Sequence, residues 1–320
     1  MGTSFGGEAD TGPPRPVISV IIVVKNGERH LHRQLAALSS QVGAPSFEVI
    51  VADNGSTDGT VALVQEWLRG PLGAPVAARL TDASAYPGIP FARNCGALVS
   101  QGDIIAYCDA DDAVYPEWVA SIAARLKAAG AIGGYLDAVD PDGNPRPDVS
   151  HRGLGRTGYL PYAPGCNLAV TRDCFFTVGG FDESLPRYGY EDIDFSWRLQ
   201  QRGFPLDFAP EVMVRFTVSN NLRSVRKEYS TARARMAMVN RHPEFDTTAY
   251  SLGYCFRDAG MAVLLLPWRM VRPRATRSRE VRWLIDAMGR FAGYWHYDIR
   301  GADSTPKLLS ADPLSLPGEC

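Results

Sequence analysis

The fold prediction starts from Ile104-Ile105-Ala106-Tyr107-Cys108-Asp109-Ala110-Asp111-Asp112, because an apolar run ends there in a cluster of carboxylates. The run is typical of a buried strand, and in an extended chain Asp109 and Asp111 project to the same face. Carboxylate oxygens suit Mg²⁺ or Mn²⁺, whose coordination is often completed by phosphate oxygens of a ligand. The alternative is an acidic turn whose Asp side chains cap the following helix. Taken alone, this motif leaves both interpretations open.

The residues before this motif alternate between strand and helix patterns. Strands are predicted over residues 17–24, 47–52 and 76–80, and apolar residues recur at helical spacing between them. The first strand is almost entirely β-branched, which is typical of a parallel strand buried on both faces. The alternation predicts an α/β fold with a doubly wound sheet, in which ligands bind beyond the carboxyl ends of the strands.

After the acidic motif the predicted order of elements becomes mixed. A helix over 117–129 and a strand over 132–139 are followed by an exposed loop over 140–158. A further strand (165–170) and two helices (172–178 and 190–202) come next, and helical patterns dominate after residue 222. The predicted organisation is a disordered lead (1–15), an α/β domain with a mixed sheet (16–216) and a mainly helical C-terminal extension (217–320).

Composition narrows the function class. The net charge is −2 and the pI is near 6.2, so the sequence gives no reason to expect nucleic-acid binding. The six cysteines show no CxxC pair and no compact spacing, which argues against a zinc site or a disulfide framework. The first residues lack the basic start and apolar core of a signal peptide, so a cytoplasmic protein is expected.

A second polar motif, Asp53-Asn54-Gly55-Ser56-Thr57-Asp58-Gly59-Thr60, follows the second predicted strand. Asp53 at the tip of that strand is expected to contact a base or ribose, whereas a capped turn would explain Ser56 and Thr57 without any ligand. Neither a GxGxxG dinucleotide motif nor a GxxxxGK[ST] phosphate loop is present.

Several motifs, in this order and spacing, carry a family resemblance: Val24-Lys25-Asn26-Gly27-Glu28, the motif that begins at Asp53, Ala92-Arg93-Asn94-Cys95-Gly96, Asp109-Ala110-Asp111-Asp112, Gly165-Cys166-Asn167-Leu168-Ala169, Gly179-Gly180-Phe181-Asp182-Glu183 and Tyr190-Glu191-Asp192-Ile193-Asp194. Together they resemble the family 2 glycosyltransferases with the GT-A fold. The resemblance covers about Pro16 to Phe216 and fades beyond it.

The resemblance implies an inverting transfer from a nucleotide-diphosphate sugar, with a UDP-sugar favoured, and a divalent metal, Mn²⁺ or Mg²⁺. It implies Asp192 as general base beside Glu191, and a DXD motif in which Asp109 and Asp111 hold the metal. The nucleotide or donor site would comprise Val24, Asn26, Glu28, Asp53, Arg93, Asn94, Asp109 and Asp111. The acceptor side would include Gly165, Cys166 and Asn167.

Chemistry gives separate support, because direct displacement needs one carboxylate to take the acceptor proton and a cation to stabilise the leaving diphosphate. Acidic residues at a helix start, such as Glu191 and Asp192, are however also favoured by the helix dipole alone. The alternatives are a nucleotidyltransferase, which would need a basic, glycine-rich loop after the first strand, and a non-catalytic GT-A-like binding protein.

Two positions depart from the family pattern. Lys25 stands where an aromatic residue is more usual, which puts base stacking in doubt. The stretch 212–217 contains Arg215 but lacks the histidine that many relatives carry there. Arg215 is either a positive charge that neutralises the diphosphate or an ordinary surface arginine.

The C-terminal segment 261–283 combines a short apolar run with Trp268, Trp283 and several arginines. The run is shorter than the roughly 20 residues needed to span a bilayer. Two interpretations stay open: a peripheral contact with an anionic inner membrane surface, or a core helix or homo-oligomer contact with a basic outer face.

Overall fold

The computed structural model describes residues 15–70, 77–218, 223–242, 244–245, 251–270 and 274–309. The predicted disordered lead therefore lies outside the described residues except for Arg15. The strands are β1 Ile18–Val24, β2 Phe47–Asp53, β3 Ala77–Asp82, β4 Ile104–Asp109, β5 Ala113–Val114, β6 Ala131–Val139, β7 Asn167–Thr171 and β8 Leu206–Thr217. The helices are α1 Leu31–Ser39, α2 Thr60–Arg69, α3 Ile89–Val99, α4 Trp118–Arg125, α5 Arg172–Thr177, α6 Glu191–Gln201, α7 Arg223–Arg241, α8 Leu252–Met270 and α9 Arg274–Tyr294.

One mixed sheet with the order β3-β2-β1-β4-β7-β6-β8-β5 organises the molecule. Strands β3, β2, β1 and β4 are parallel, whereas β7 runs antiparallel to both β4 and β6. The chain order reverses on either side of β1, which makes the region beyond β1 and β4 a topological switch point. The predicted α/β fold with a doubly wound first half and a mixed sheet is confirmed.

Both faces of the central strands are buried. In β1, Val20 and Ile22 pack into one core beneath α1, α2 and α4, while Ile21 packs into a second core beneath α3, α5 and α6. Burial on both faces explains why β1 reads as a continuous β-branched run rather than an alternating pattern. The sheet is thereby fixed on both sides, and its carboxyl-end loops are left to form a site.

Two local expectations need correction. Helix α4 ends at Arg125, four residues before the predicted end, because the chain must turn through Gly130 (φ +153°) to enter β6. The sequence analysis also missed β5, a two-residue strand directly after Asp112 that pairs antiparallel with Val214 and Arg215 of β8. So short a strand carries no recognisable periodicity, because its stability comes from its partner.

The C-terminal helices pack on the α/β layer through α7. Ala234, Ala237 and Met238 of α7 share a buried cluster with Ile193 and Trp197 of α6. The chain then returns to the domain, where the backbone N–H of Lys307 donates to Asp182. The domain boundary at residue 216 stays a prediction, but contacts cross it, such as the hydrogen bond from Ser230 Oγ to the carbonyl of Tyr188.

None of the described helices is both long enough and apolar enough to cross a membrane.

Candidate active site

A cleft of about 440 Å³ opens beyond the carboxyl ends of β1 and β4. Of the residues predicted for the donor site, Val24 and Asn26 line it from the end of β1, and Asp109 and Asp111 line it from the end of β4. The strand order accounts for this, since β1 and β4 are paired and end at the same edge of the sheet. Two motifs distant in sequence therefore meet at the switch point.

Several residues that line the same cleft were missed by the sequence analysis as donor-site candidates: His30, Gly88, Arg187, Tyr188 and Lys227. Arg187 and Tyr188 come from the loop before α6. Lys227 comes from α7, beyond the region of family resemblance. A lysine on a predicted helix carries no signal by itself, so only the folded arrangement reveals it.

The loops after β1 and β2 are joined by a polar network. Asn26, in a left-handed conformation (φ 57°), accepts through Oδ1 from the backbone N–H of Thr57 at 2.8 Å. The Glu28 side chain accepts from the backbone N–H of Gly59 at 3.1 Å. These contacts account for the residue spacing within the two motifs, because the side chains of Asn26 and Glu28 accept hydrogen bonds from backbone N–H groups of the loop after β2.

Asp53 stands at the tip of β2 and is 8% exposed. Its Oδ2 accepts from the backbone N–H of Ser56 at 3.1 Å. Its Oδ1 is buried and has no hydrogen-bond partner among the described residues. Because a buried acceptor without a partner is costly, this oxygen is suited to receive a donor group from a ligand.

Arg93 connects the acidic motif to the start of α6. Its Nη2 lies 3.5 Å from Oδ1 of Asp109, and its Nη1 lies 3.3 Å from Oε1 of Glu191. The Arg93 and Glu191 side chains are buried, whereas 41% of the Asp109 side chain remains exposed. The guanidinium packs on Gly165, where a Cβ would lie 2.3 Å from Nη1. Gly165 therefore makes room for Arg93, and a larger residue would displace it.

Asp192 is half-buried in the first turn of α6. Its Oδ2 accepts from the backbone N–H of Gly165 at 2.9 Å, and its Oδ1 accepts from the backbone N–H of Ile193 at 2.9 Å. These two donors fix the orientation of the carboxylate. The predicted acceptor segment at Gly165 and the predicted base are thus direct neighbours.

Cys166 and Asn167 are both buried. The Asn167 Oδ1 accepts from the indole N–H of Trp118 at 2.9 Å, and its Nδ2 donates to the carbonyls of Tyr135 and Val212. The contacts give Asn167 a role in holding β6, β7 and β8 together. Its predicted role on the acceptor side stays a prediction.

Asn94 is also buried, with 1% of its surface exposed. Its Nδ2 donates to the carbonyl of Phe181 and to Glu183, and its Oδ1 accepts from the backbone N–H of Phe181. These bonds hold the turn at Gly180. The neighbours Arg93 and Asn94 therefore face different surroundings.

A candidate metal-ligating group consists of Asp109, Asp112 and Cys166, whose ligand atoms lie within 4.8 Å of one another. Asp112 is 2% exposed, and its Oδ1 accepts from the backbone N–H of Thr217 at 2.9 Å. Its Oδ2 is buried without a hydrogen-bond partner in the described part of the chain. Sequence reasoning named Asp109 and Asp111 and passed over Asp112. Asp111 is exposed and lines both the main cleft and a second cavity of about 370 Å³.

Arg215 lies on the far side of this acidic group. Its guanidinium stacks over the ring of Tyr115, 5.5 Å from the centroid, and the residue lines the second cavity. It is not among the residues that line the main cleft.

Burial dominates the electrostatics of these acids. Desolvation raises the pKa of Asp109, against the lowering effect of Arg93 and, more weakly, of Lys227. Desolvation, reinforced by Asp109 and Asp111, raises the pKa of Asp112 well above its usual range. Burial and the neighbouring Asp192 raise the pKa of Glu191 to about 7, although Arg93 opposes the shift. Like charges crowded together and removed from solvent are typical of a functional site.

Comparison with known families shows which family the chain belongs to. Residues 19–182 match the model of glycosyl transferase family 2, and residues 157–220 match a model described as the N-terminal domain of galactosyltransferase. The chain belongs to glycosyl transferase family 2. The family 2 model spans the acidic motif and the donor-side loops, whereas Glu191 and Asp192 fall within the second match.

Two curated relatives are similar over about three fifths of the chain. Glycosyltransferase AglE of Haloferax volcanii is 27% identical over 214 residues, which cover 62% of this chain and 66% of the relative. Validoxylamine A glucosyltransferase of Streptomyces hygroscopicus is 28% identical over 242 residues, covering 61% of this chain and 50% of the relative. The chain therefore spans about half to two thirds of the length of these relatives.

The fold of this family 2 member also resembles solved structures. The mannosyltransferase PcManGT of Pyrobaculum calidifontis, solved in complex with GDP-Man and Mn²⁺, superposes with a TM-score of 0.62 at 18% identity over 88% of each chain. At that identity the similarity establishes the GT-A fold.

Proposed function

We propose that the chain is an inverting glycosyltransferase that moves a sugar from a nucleotide-diphosphate sugar to an acceptor hydroxyl or other nucleophile. Family membership and the GT-A fold support transferase chemistry. The observation that carries the proposal is the position of Arg93 between Asp109 and Glu191, which brings the acid at the end of β4 close to the start of α6.

In the proposed reaction, Asp192 takes the proton from the acceptor nucleophile as that group attacks the anomeric carbon. The bond from this carbon to the diphosphate oxygen breaks, and the nucleoside diphosphate leaves with the bonding electrons. Such base catalysis requires a carboxylate held in a fixed orientation near the nucleophile. The two backbone N–H groups that bind Asp192 supply that orientation. Glu191, which binds Arg93 and the N–H of Gly189, would position the base rather than touch the acceptor.

The acidic group fits a divalent cation in most respects. Asp109 and Asp112 are hard oxygen ligands, and the buried Oδ2 of Asp112 lacks a partner among the described residues, whereas the thiol of Cys166 suits softer metals. We propose that Asp109, Asp111 and Asp112 hold Mn²⁺ or Mg²⁺. When bound, the cation would stabilise the negative charge that develops on the leaving diphosphate.

We propose that Asp53 and the loop at Asn26 recognise the nucleoside. The unpartnered Oδ1 of Asp53 is an acceptor suited to an N–H of a base or a hydroxyl of a ribose. A UDP-sugar is the favoured donor, and a GDP-sugar is the next candidate because the structural relative PcManGT was solved with GDP-Man.

A peripheral contact with an anionic membrane is part of the proposal. Phe256, Val263 and Leu264 of α8 lie at helical spacing and are 54%, 65% and 76% exposed. Residues 271–273 of the predicted segment 261–283 lie outside the described residues, and so do the side chains of several of its other residues, including Trp268. Co-sedimentation with phosphatidylglycerol vesicles but not with phosphatidylcholine vesicles would support this contact. Concentration-dependent dimerisation without vesicle binding would instead support a homo-oligomer.

Nucleotide binding with and without Mn²⁺ tests the main proposal. Because a ligand that binds only the folded state raises its melting temperature, thermal shifts with UDP, GDP, dTDP and ADP should identify one that stabilises the protein in a metal-dependent manner. The stabilising diphosphate then fixes the donor class, and release of that diphosphate from its sugar donors measures transfer. Absence of a shift with every nucleotide would favour a non-catalytic relative.

A further inference from the structure

Lys227 of α7 is a basic residue of the donor cleft that belongs to the helical extension. It lines the cleft together with Asp109, Asp111 and Tyr188. It is half-buried, and its ammonium lies 4.5 Å from the centroid of the Tyr188 ring. Stacking on an aromatic face orients a lysine that would otherwise sample many rotamers. The side chain is therefore held at the edge of the acidic group.

Helix α7 is fixed to the loop that precedes the proposed base. Ser230 Oγ donates to the carbonyl of Tyr188 at 2.7 Å. Gly189 has a φ of +103°, and a Cβ there would lie 2.7 Å from Oγ1 of Thr231. Glycine thus permits a close approach between this loop and α7. The approach sets the position of Lys227 relative to Tyr188 and to the start of α6.

Lys227 shares the cleft with the basic residues Lys25 and Arg187, and its contact with the ring of Tyr188 holds its ammonium in place. Lys227 lines the cleft beside Asp109 and Asp111, so its charge faces the acidic group. The two terminal nitrogens of Arg93, by contrast, already lie next to Asp109 and Glu191. Arg215 lines the second cavity instead. Lys227 is therefore suited to a ligand that brings further negative charge into the cleft.

We propose that Lys227 binds the diphosphate of the donor, so that the helical extension completes the donor site. This inference rests on the proposed function and adds to it a residue that neither matched family model covers, since these models end at residues 182 and 220. Lys227 on α7 thereby takes the role in diphosphate neutralisation that the sequence suggested for Arg215 on β8. Lys227 would stabilise the charge that grows on the leaving oxygen as the glycosidic bond breaks.

The test compares Lys227→Met and Lys227→Arg with the unaltered protein by calorimetry. The ligands are the nucleoside diphosphate that binds among UDP, GDP, dTDP and ADP, and its parent nucleoside, whose weak binding is followed by NMR titration. Lys307→Met is the matched control, because Lys307 also stacks on a tyrosine, with its ammonium 5.0 Å from the ring of Tyr86, but lies outside the cleft. Melting temperatures are recorded for every variant.

Loss of one charge-assisted hydrogen bond predicts that Lys227→Met weakens diphosphate binding about tenfold. Nucleoside binding should change by less than about twofold, because the nucleoside carries no phosphate. Lys227→Arg should retain most of the affinity, and Lys307→Met should retain all of it. Mn²⁺ binding should not weaken in Lys227→Met, since the lost charge repels the cation.

Other outcomes separate this inference from the proposed function. Unchanged diphosphate affinity in Lys227→Met would overturn the role of Lys227 and leave the proposed function intact. Equal weakening of diphosphate and nucleoside binding would also overturn it, because that pattern indicates a structural role. If the unaltered protein binds none of the nucleotides, the proposed function is wrong, and the proposed role of Lys227 is overturned with it.

Discussion

Arg93 Nη1 lies 3.3 Å from Glu191 Oε1, and these two buried residues are 98 positions apart in the chain. The pair joins α3 to the N-terminus of α6, and the second terminal nitrogen of Arg93 faces Asp109 at the end of β4. One guanidinium thus compensates acids from both halves of the proposed site. Its loss should affect folding stability and chemistry together.

Replacement of Arg93 by methionine should lower the free energy of unfolding by about 3–5 kcal/mol, because two carboxylates lose their buried partner. Urea unfolding at neutral pH measures the change. Arg146→Met is the control: the side chains of the Arg146–Asp148 pair are 34% and 60% exposed, so its loss should change the free energy of unfolding far less. A loss below about 1 kcal/mol in Arg93→Met would show that the pair is not important for stability.

The raised pKa of Glu191, about 7 in the folded protein, predicts a specific pH dependence. A carboxyl whose pKa is higher in the folded than in the unfolded state contributes stability that is fully present below the unfolded pKa. That contribution is lost as the pH rises through the folded pKa. Unaltered protein should therefore lose stability from about pH 5 to about pH 8 relative to Glu191→Gln, which cannot titrate.

Melting temperatures across this range measure the effect of Glu191→Gln. The difference between variant and unaltered protein should shift in favour of the variant as the pH rises. Glu211→Gln, at an exposed position of β8, is the matched control and should show a flat difference. A flat difference for Glu191→Gln as well would contradict the raised pKa.

Asn167→Ala should destabilise the fold by about 3 kcal/mol, because it leaves the indole N–H of Trp118 and the carbonyls of Tyr135 and Val212 without their partner. Denaturant unfolding measures this loss, with Asn144→Ala on an exposed loop as control. Nucleotide affinity of the folded protein should stay within about twofold. A selective rise in KM for an acceptor, without loss of stability, would instead support the acceptor role predicted from the sequence.

The sequence predicts the first half of the fold well because each central strand is buried on both faces. The continuous apolar pattern of β1 and the polar residues after β1, β2 and β4 identify the strands and the edge where ligands bind. The family motifs add specificity, because Asn26 and Glu28 bind backbone groups of the loop at Thr57 and Gly59. Residue spacing therefore predicts hydrogen bonds of this kind between neighbouring loops.

The contacts of the candidate site are harder to predict from the sequence, because they depend on tertiary neighbours. Asn94 directly follows Arg93, yet one side chain is enclosed in the Gly180 turn and the other faces the acids. Asp112 follows Asp111, but β5 pairs with β8 and turns Asp112 inward toward Thr217. Tertiary packing thus gives adjacent residues different surroundings, and the linear sequence pattern does not contain that information.

Asp112→Asn tests the proposed metal group. The substitution replaces a buried carboxyl by a neutral group of similar shape, so the fold should survive while Mn²⁺ affinity falls about tenfold or more. Titration of Mn²⁺ in the presence of the stabilising nucleotide measures it. Asp142→Asn, an exposed acid of the second cavity, serves as control and should bind Mn²⁺ normally. Equal Mn²⁺ affinity in both variants would remove Asp112 from the group.

Asp192→Asn separates binding from chemistry. The amide oxygen of asparagine can still accept from the backbone N–H of Gly165, so the loop and the donor cleft should keep their arrangement. An amide cannot take the acceptor proton, and transfer should therefore slow by about 10²- to 10⁴-fold while the nucleotide Kd stays unchanged. Steady-state rates and calorimetry on the same preparation measure the two quantities, with the exposed Asp207→Asn as control. Full transfer activity in Asp192→Asn would rule out Asp192 as the base, whereas a parallel loss of nucleotide binding would indicate that Asp192 acts on the donor side.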